Sequence, residues 1–161
     1  MRGAQAGSAS DLEALFRAYW PRSFRAAYLV VHDASAAEDI AQEAFLAAVR
    51  SLGSFDRRRP FGPWLHRIVV NRAIDWARAA KLRAEAELEE LPGVDSAEGA
   101  PLDDAVVAAL RALSPEQRAV IVLRHLLEYT PGEIAELLHL PRGTVNSRLR
   151  RGLDALAEEL R

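Results

Sequence analysis

At three helix starts this chain places a serine or threonine three residues ahead of a glutamate or glutamine at the mouth of an apolar run, and these are read as capping boxes: Ser35–Glu38, Ser114–Gln117 and Thr130–Glu133. Each pair fits a reciprocal helix cap, in which the hydroxyl oxygen accepts one orphan backbone N–H and the longer side chain accepts another. In the second and third, a proline follows the cap at the first helical position, where its missing N–H costs nothing. Period-two alternation of apolar residues is almost absent, so strands do not compete for the backbone. Ser10 and Asp11 start a further helix through LEALFRAYW, which Pro21 kinks or restarts. The Ser35 helix is expected to reach Leu52 with Gly53 as its stop, another to run from Pro63 past Arg78, and another to span Leu102 to Leu113. The expected fold is all-α.

The helices fall into two unlike groups. Ten of the eleven aromatic residues precede residue 80, and only Tyr129 follows it. Residues 1–80 carry eleven bases and eight acids, and residues 103–161 carry eight bases and nine acids. Between them, residues 81–102 carry two bases and six acids, with Pro and Gly and little apolar periodicity past Leu91. That composition is expected to give a flexible acidic linker. The chain therefore divides into a small helical bundle over 8–80, a linker over 81–102 and a second small bundle over 103–161. With half of its 161 residues hydrophobic, it has the material for packed cores. It has no cysteine, which excludes disulfides and thiolate metal sites. No apolar run approaches the roughly 20 residues that span a bilayer. The N-terminal MRGAQAGSAS lacks the apolar core of a signal peptide. A cytoplasmic protein without membrane insertion is expected.

The second bundle carries the sharpest motif. TPGEIAELLHL is a short helix, PRG suits a sharp turn, and TVNSRLRRGLDALAEEL is a longer helix, which is the plan of a DNA-reading helix-turn-helix. Four arginines fall within ten residues, from Arg142 to Arg151, although the net charge of the chain is −2. On the longer helix Val145, Leu149, Leu156 and Leu160 form one apolar stripe. Thr144, Ser147 and Arg151 point away from it, flanked by Asn146, Arg148 and Arg150. Hydroxyls and guanidiniums of this kind hydrogen-bond base edges and phosphates, and they also suit a plain solvated face.

The first bundle offers two contrasting surfaces. On the Ser35 helix, Ile40, Ala44, Phe45, Ala48 and Leu52 share one side; Asp39, Gln42, Glu43, Leu46 and Arg50 share the other. Asp39 and Glu43 lie one turn apart beside an outward leucine, which fits a docking surface for a basic partner or a solvated face. On the Pro63 helix, Leu65, Val69, Ala73 and Trp76 are apolar, and opposite them runs Trp64, Arg67, Asn71, Asp75 and Arg78. Immediately ahead stand Arg57, Arg58 and Arg59 between Phe55 and Phe61. Rings interleaved with guanidinium and amide groups suit a single strand, whose unstacked bases rest on aromatics while arginines hold phosphates; Trp64 also fits the rim of a core. The four histidines show no metal-ligand spacing, and there is no phosphate-binding glycine loop and no nucleophile–His–acid set. No catalytic residue, metal site or cofactor is expected.

A duplex reader, a single-strand reader and an acidic docking helix on one chain suggest promoter recognition with strand opening. At these residues the chain resembles the extracytoplasmic-function (ECF) sigma factors, small two-domain bacterial sigma factors. ASAAEDIAQEAFLAAVRSLGSFD resembles their region-two core, RPFGPWLHRIVVNRAIDWAR their melting and minus-ten helix, and LSPEQRAVIVLRHLLEYTPGEIAELLHLPRGTVNSRLRRGLDAL their region four. The resemblance implies that Asp39, Gln42 and Glu43 dock on the clamp helices of the RNA polymerase largest subunit, with Leu46 beside them. It implies that the loop with Phe55 and Arg57 holds a flipped minus-ten base and that Asn71 lies against that strand; the interleaved strip adds Arg58, Phe61, Trp64 and Arg67 to the expected minus-ten surface. It places Asn146, Ser147, Arg148 and Arg151 at the minus-thirty-five element in the major groove, with Arg142, Thr144 and Arg150 around them. The implied partners are bacterial core RNA polymerase, promoter DNA and, with no sensing extension past Arg161, a separate anti-sigma factor. A competing expectation is a helix-turn-helix regulator that binds its operator without polymerase, and a third is an interaction module that binds no DNA.

Overall fold

The computed structural model describes residues 1–87 and 103–161, and the described residues are helical with short connections. In order they are α1 (Arg2–Gln5), α2 (Ala9–Val31), α3 (Ala34–Ser51), α4 (Phe61–Glu87), α5 (Asp104–Arg111), α6 (Pro115–Ile121), α7 (Pro131–Leu138) and α8 (Arg142–Glu159). A 3₁₀ turn, Leu52–Ser54, ends α3, and a single π-type turn, Val122–Leu126, extends α6. The helix α4 continues to Glu87, through the first residues expected to be linker. The rest of that expected linker, 88–102, lies outside the described residues.

Two of the three expected capping boxes form. Ser114 Oγ accepts from Gln117 N while Gln117 Oε1 accepts from Ser114 N, and Thr130 and Glu133 exchange the same pair of bonds. The third does not. Asp33, two residues earlier than Ser35, caps α3 by accepting from Ala36 N at 2.9 Å. A carboxylate at this position satisfies the orphan N–H and also meets the positive end of the helix dipole, so it takes the cap from the hydroxyl. Glu38 is left to accept from Gln42 Nε2 on the exposed face. Likewise Ser8, not Ser10, caps α2, and α2 runs unbroken through Pro21. Burial explains the tolerance: every residue from Ala26 to Val31 is buried between neighbouring helices, so tertiary packing holds the segment helical despite the lost bond.

The first bundle is α2, α3 and α4 packed on one another, closed at one end by α1, whose Gln5 Nε2 donates to the carbonyls of Leu52 and Phe55. The second is α8 lying across α5, α6 and α7. The turn of the helix-turn-helix is His139–Leu140–Pro141, with His139 in the left-handed region (φ 53°), rather than PRG. Pro141 holds the N-cap position, so Arg142 and Gly143 form the first turn of α8. The apolar stripe of α8 also differs from the expected one. Val145 and Leu149 are buried, Leu156 is half-buried, and Leu160, just past the end of α8, is 45% exposed. Gly152 takes the missing place: a Cβ there would sit 2.8 Å from Ile121 Cδ1, so the absence of a side chain brings α8 close onto α6.

The two bundles are packed together, and their buried residues form one continuous cluster. The C-terminal half of α2 and the inner side of α4 meet α6, its π-type extension and α7. Across this seam, His66 Nδ1 and the Tyr129 hydroxyl are 2.7 Å apart, and Arg78 of α4 pairs with Glu116 of α6. His32, the left-handed C-cap of α2, is buried with neither ring nitrogen hydrogen-bonded. Burial, reinforced by the charges of Arg118 and Arg111 from the second bundle, lowers its pKa to about 3, so the ring is neutral.

Candidate nucleic-acid interface

On α3 the core side holds Ile40, Ala44, Phe45 and Ala48, which leaves Asp39, Gln42, Glu43 and Leu46 outward. Leu46 is 54% exposed, and Val49, three residues on, is 47% exposed beside it. The surface is thus an acidic turn followed by two bare aliphatic side chains. Two outward apolar residues adjacent to carboxylates carry more information than either alone, since scattered exposed leucines are ordinary. Val49 was absent from the sequence expectation, although its three-residue offset from Leu46 places it on the same helical face. Glu43 also pairs with Arg72 of α4 at 2.8 Å, which fixes one end of the acidic turn against the neighbouring helix.

The exposed part of the α4 strip is narrower than the spacing suggested. Phe61 is only 7% exposed, in edge contact with Tyr19 and Trp64, and so belongs to the core rather than to a strand-binding surface. It lies in the first turn of α4, which starts two residues before the expected Pro63 and rotates the ring inward. Phe55 is half-buried and stacks on Trp64, with ring centroids 4.6 Å apart and planes 25° from parallel. The two rings are thus a pre-stacked pair rather than isolated aromatics. Arg57 and Arg58 are exposed in the loop. Asp56 tethers Arg58, accepting from its backbone N–H and its guanidinium, and those bonds hold the Asp56 carboxyl below its usual range. Arg67 is exposed and Asn71 half-buried one turn later on the same face.

On α8, Arg142, Asn146, Arg150 and Arg151 are exposed, while Thr144, Ser147 and Arg148 are half-buried. Arg151 Nη2 donates to Ser147 Oγ at 2.6 Å, so the hydroxyl and the guanidinium one turn apart form a joined pair. Arg148 differs from its neighbours, since its charge acts on Glu116 of α6. Burial pushes the Glu116 carboxyl up, but the hydrogen bond from Arg78 and the charges of Arg78 and Arg148 outweigh it and the pKa is lowered. The outward face of α8 is therefore Thr144, Ser147 and Arg151 with Asn146 and Arg150 beside them, and Arg148 sits on the inner flank. No cluster of three or more His, Asp or Glu able to hold a metal ion occurs among the described residues. Among them, too, no helix is long and apolar enough to cross a membrane.

Two family models match this architecture: Sigma-70 region 2 over residues 15–83 and Sigma-70 region 4 over residues 103–156. They define the class, a two-part sigma factor whose bundles correspond to those described above. Among curated relatives, the chain is 36% identical to the ECF RNA polymerase sigma factor SigW of Bacillus subtilis, covering 89% of this chain and 85% of that protein. It is 36% identical to SigM of Mycobacterium tuberculosis (96% and 80% covered), and 32% identical to the RNA polymerase sigma-E factor of Streptomyces coelicolor (96% and 88% covered). The fold is similar to that of the sigma factor RpoE in its complex with the anti-sigma factor NepR from Bartonella quintana, at TM-score 0.78 and 23% identity over 94% of this chain and 98% of that one. It is similar also to CnrH in complex with the cytosolic domain of CnrY, at TM-score 0.73 and 26% identity over 99% and 93%. The chain belongs to the ECF sigma factors, and it acts as an alternative sigma factor directing transcription initiation.

Proposed function

We propose that the three surfaces divide the work of initiation as follows, with bundles over 8–80 and 103–161 joined through 81–102. The α3 face of Asp39, Gln42, Glu43 and Leu46, extended by Val49, docks on core RNA polymerase. Phe55, Arg57, Arg58, Trp64, Arg67 and Asn71 hold the unpaired minus-ten strand. The α8 face of Thr144, Asn146, Ser147, Arg150 and Arg151, entered at Arg142 and braced by Arg148, reads the minus-thirty-five duplex in the major groove. The observation that carries this reading is the presence on one chain of two unlike nucleic-acid surfaces, one aromatic and basic, the other hydroxyl and guanidinium on a recognition helix. The chain works in the cytoplasm as a non-enzymatic specificity factor, and a separate anti-sigma protein holds it in check.

Energetics favour dependence on polymerase. Each surface offers few phosphate contacts, so neither binds promoter DNA tightly alone. Core enzyme fixes both at a set separation and turns two weak readings into one specific one by effective concentration. Strand opening then needs no ATP, because captured bases offset an unstacking cost of a few kcal/mol per step. Band-shift titration of a promoter fragment with and without core enzyme tests the reading. Sequence-specific binding is expected only when core is present; tight specific binding by the chain alone would instead indicate an operator-binding regulator.

A further inference from the structure

The one aromatic residue of the C-terminal half reaches into the aromatic cluster of the other half. Tyr129 places its hydroxyl 2.7 Å from His66 Nδ1, and its ring meets the imidazole edge-on with centroids 5.9 Å apart. On its far side His66 faces Tyr19 of α2, also edge-on, and it is buried to 6% exposure. The backbone is set to make this reach. Glu128, immediately before Tyr129, adopts the left-handed conformation (φ 63°), which costs a non-glycine residue on the order of 1 kcal/mol. It lets Tyr129 N donate to Leu123 O and turn the ring back toward α4.

The contact closes one side of a cleft of about 1010 Å³ between the bundles. One wall is the strand-binding strip, with Phe55, Trp64 and Arg67; the other is Tyr129, Glu133 and Glu136 at α7. A phosphate backbone entering this space would meet Glu133 and Glu136 on the wall facing Arg59, Arg67 and Arg72. In this arrangement the second bundle lies across the strip.

We propose that Tyr129 and His66 form a latch that holds region four across the minus-ten strip in the free protein, and that protonation of His66 releases it. The proposal rests on the assignment of the α4 strip as the minus-ten surface only for its consequence; the latch itself is a statement about two side chains. Whichever of the two donates in the bond between the hydroxyl and Nδ1, His66 Nε2 is buried without a partner, so a charged ring would be held away from water with one N–H unmet. The groups around it agree. Burial first, then the charge of Arg22, lowers the His66 pKa to about 4, and no carboxylate offsets them. Burial and the charges of Glu133 and Tyr19 push the Tyr129 hydroxyl up to about 12, so it stays protonated.

The sign follows from linkage. The closed form binds fewer protons than the open form, so closure is fully present above the open-state pKa near 6.5 and is lost as pH falls toward 4. Between pH 8 and pH 5.5 these two values raise the open-to-closed ratio about tenfold.

The test measures the distance between the bundles in the full chain. Because the protein has no cysteine, Arg17→Cys with Glu158→Cys places two dyes cleanly for single-molecule energy transfer, both sites being exposed. The expected result is a mainly short-distance population at pH 8 that gives way to longer distances at pH 5.5, with helix content unchanged. Tyr129→Phe, which keeps the ring and deletes the bond, should raise the open population already at pH 8. His66→Gln, which keeps a neutral hydrogen-bonding side chain, should stay closed at pH 5.5. A distance distribution that does not change with pH, or equal opening of the His66→Gln variant, overturns the latch. Neither outcome bears on whether the strip binds DNA, which the promoter assays measure separately.

Discussion

At the scale of single residues, the proposed function makes specificity on α8 rest on a pair. Ser147 and Arg151 are hydrogen-bonded in the free protein, so each substitution also changes what the other can do. A bidentate arginine–guanine contact is worth about 1–3 kcal/mol of base discrimination, whereas a phosphate contact weakens all sequences alike. Arg151→Ala and Ser147→Ala should each shift preference within the minus-thirty-five element by a factor in that range. Their double variant should cost less than the sum, since neighbours in one network are not additive. Arg150→Ala, on the flank, should weaken every promoter by a similar factor. Transcription of one promoter library with all four variants measures this; sequence-blind losses throughout would mean these side chains grip phosphate only.

At the scale of elements, what was legible in the sequence depended on whether the signal was local. The Ser114 and Thr130 caps were readable because both partners lie within one turn. The Ser35 box failed because a better acceptor, Asp33, stood two residues earlier, and composition alone does not rank them. The outward faces of α3 and α8 followed from helical periodicity. Phe61 was misplaced because the face it takes depends on where α4 starts, and Leu160 because α8 ends one residue before it. Gly152 and Tyr129 were invisible as contacts, since both act through residues distant in sequence. The lopsided placement of aromatics was the only trace that Tyr129 left.

Two expectations belong to this scale. Asp39→Arg with Glu43→Arg should weaken binding to core polymerase strongly while leaving the melting temperature nearly unchanged. The substitutions forfeit only the exposed Glu43–Arg72 pair, and such pairs contribute about 0–1 kcal/mol. Unchanged core affinity in a titration would remove the docking role from α3. Gly152→Leu, in contrast, forces a side chain into the place where α8 approaches α6. It should destabilise the chain by about 1–3 kcal/mol in urea unfolding, the usual cost of overpacking. Retention of full stability would mean that the helices are not so close.

At the scale of the whole molecule, one continuous core joins two bundles that, on the proposed function, act on different parts of a promoter. The seam is partly polar, with His66–Tyr129 and Arg78–Glu116 across it, which suits an interface made to open. On the proposed function this chain both recognises a promoter and opens it, with the opening done by the strip on α4. Permanganate reactivity of minus-ten thymines, with core enzyme and no nucleotides, tests that most directly. The wild type should render those thymines reactive. Phe55→Ala and Asn71→Ala should leave the upstream footprint in place and lose most of that reactivity. The Phe55–Trp64 stack is worth about 0.5–1.5 kcal/mol, so the Phe55 variant is compared at a temperature where it remains folded. Normal melting by both variants, or thymine reactivity no greater with the wild type than with core enzyme alone, would contradict the account.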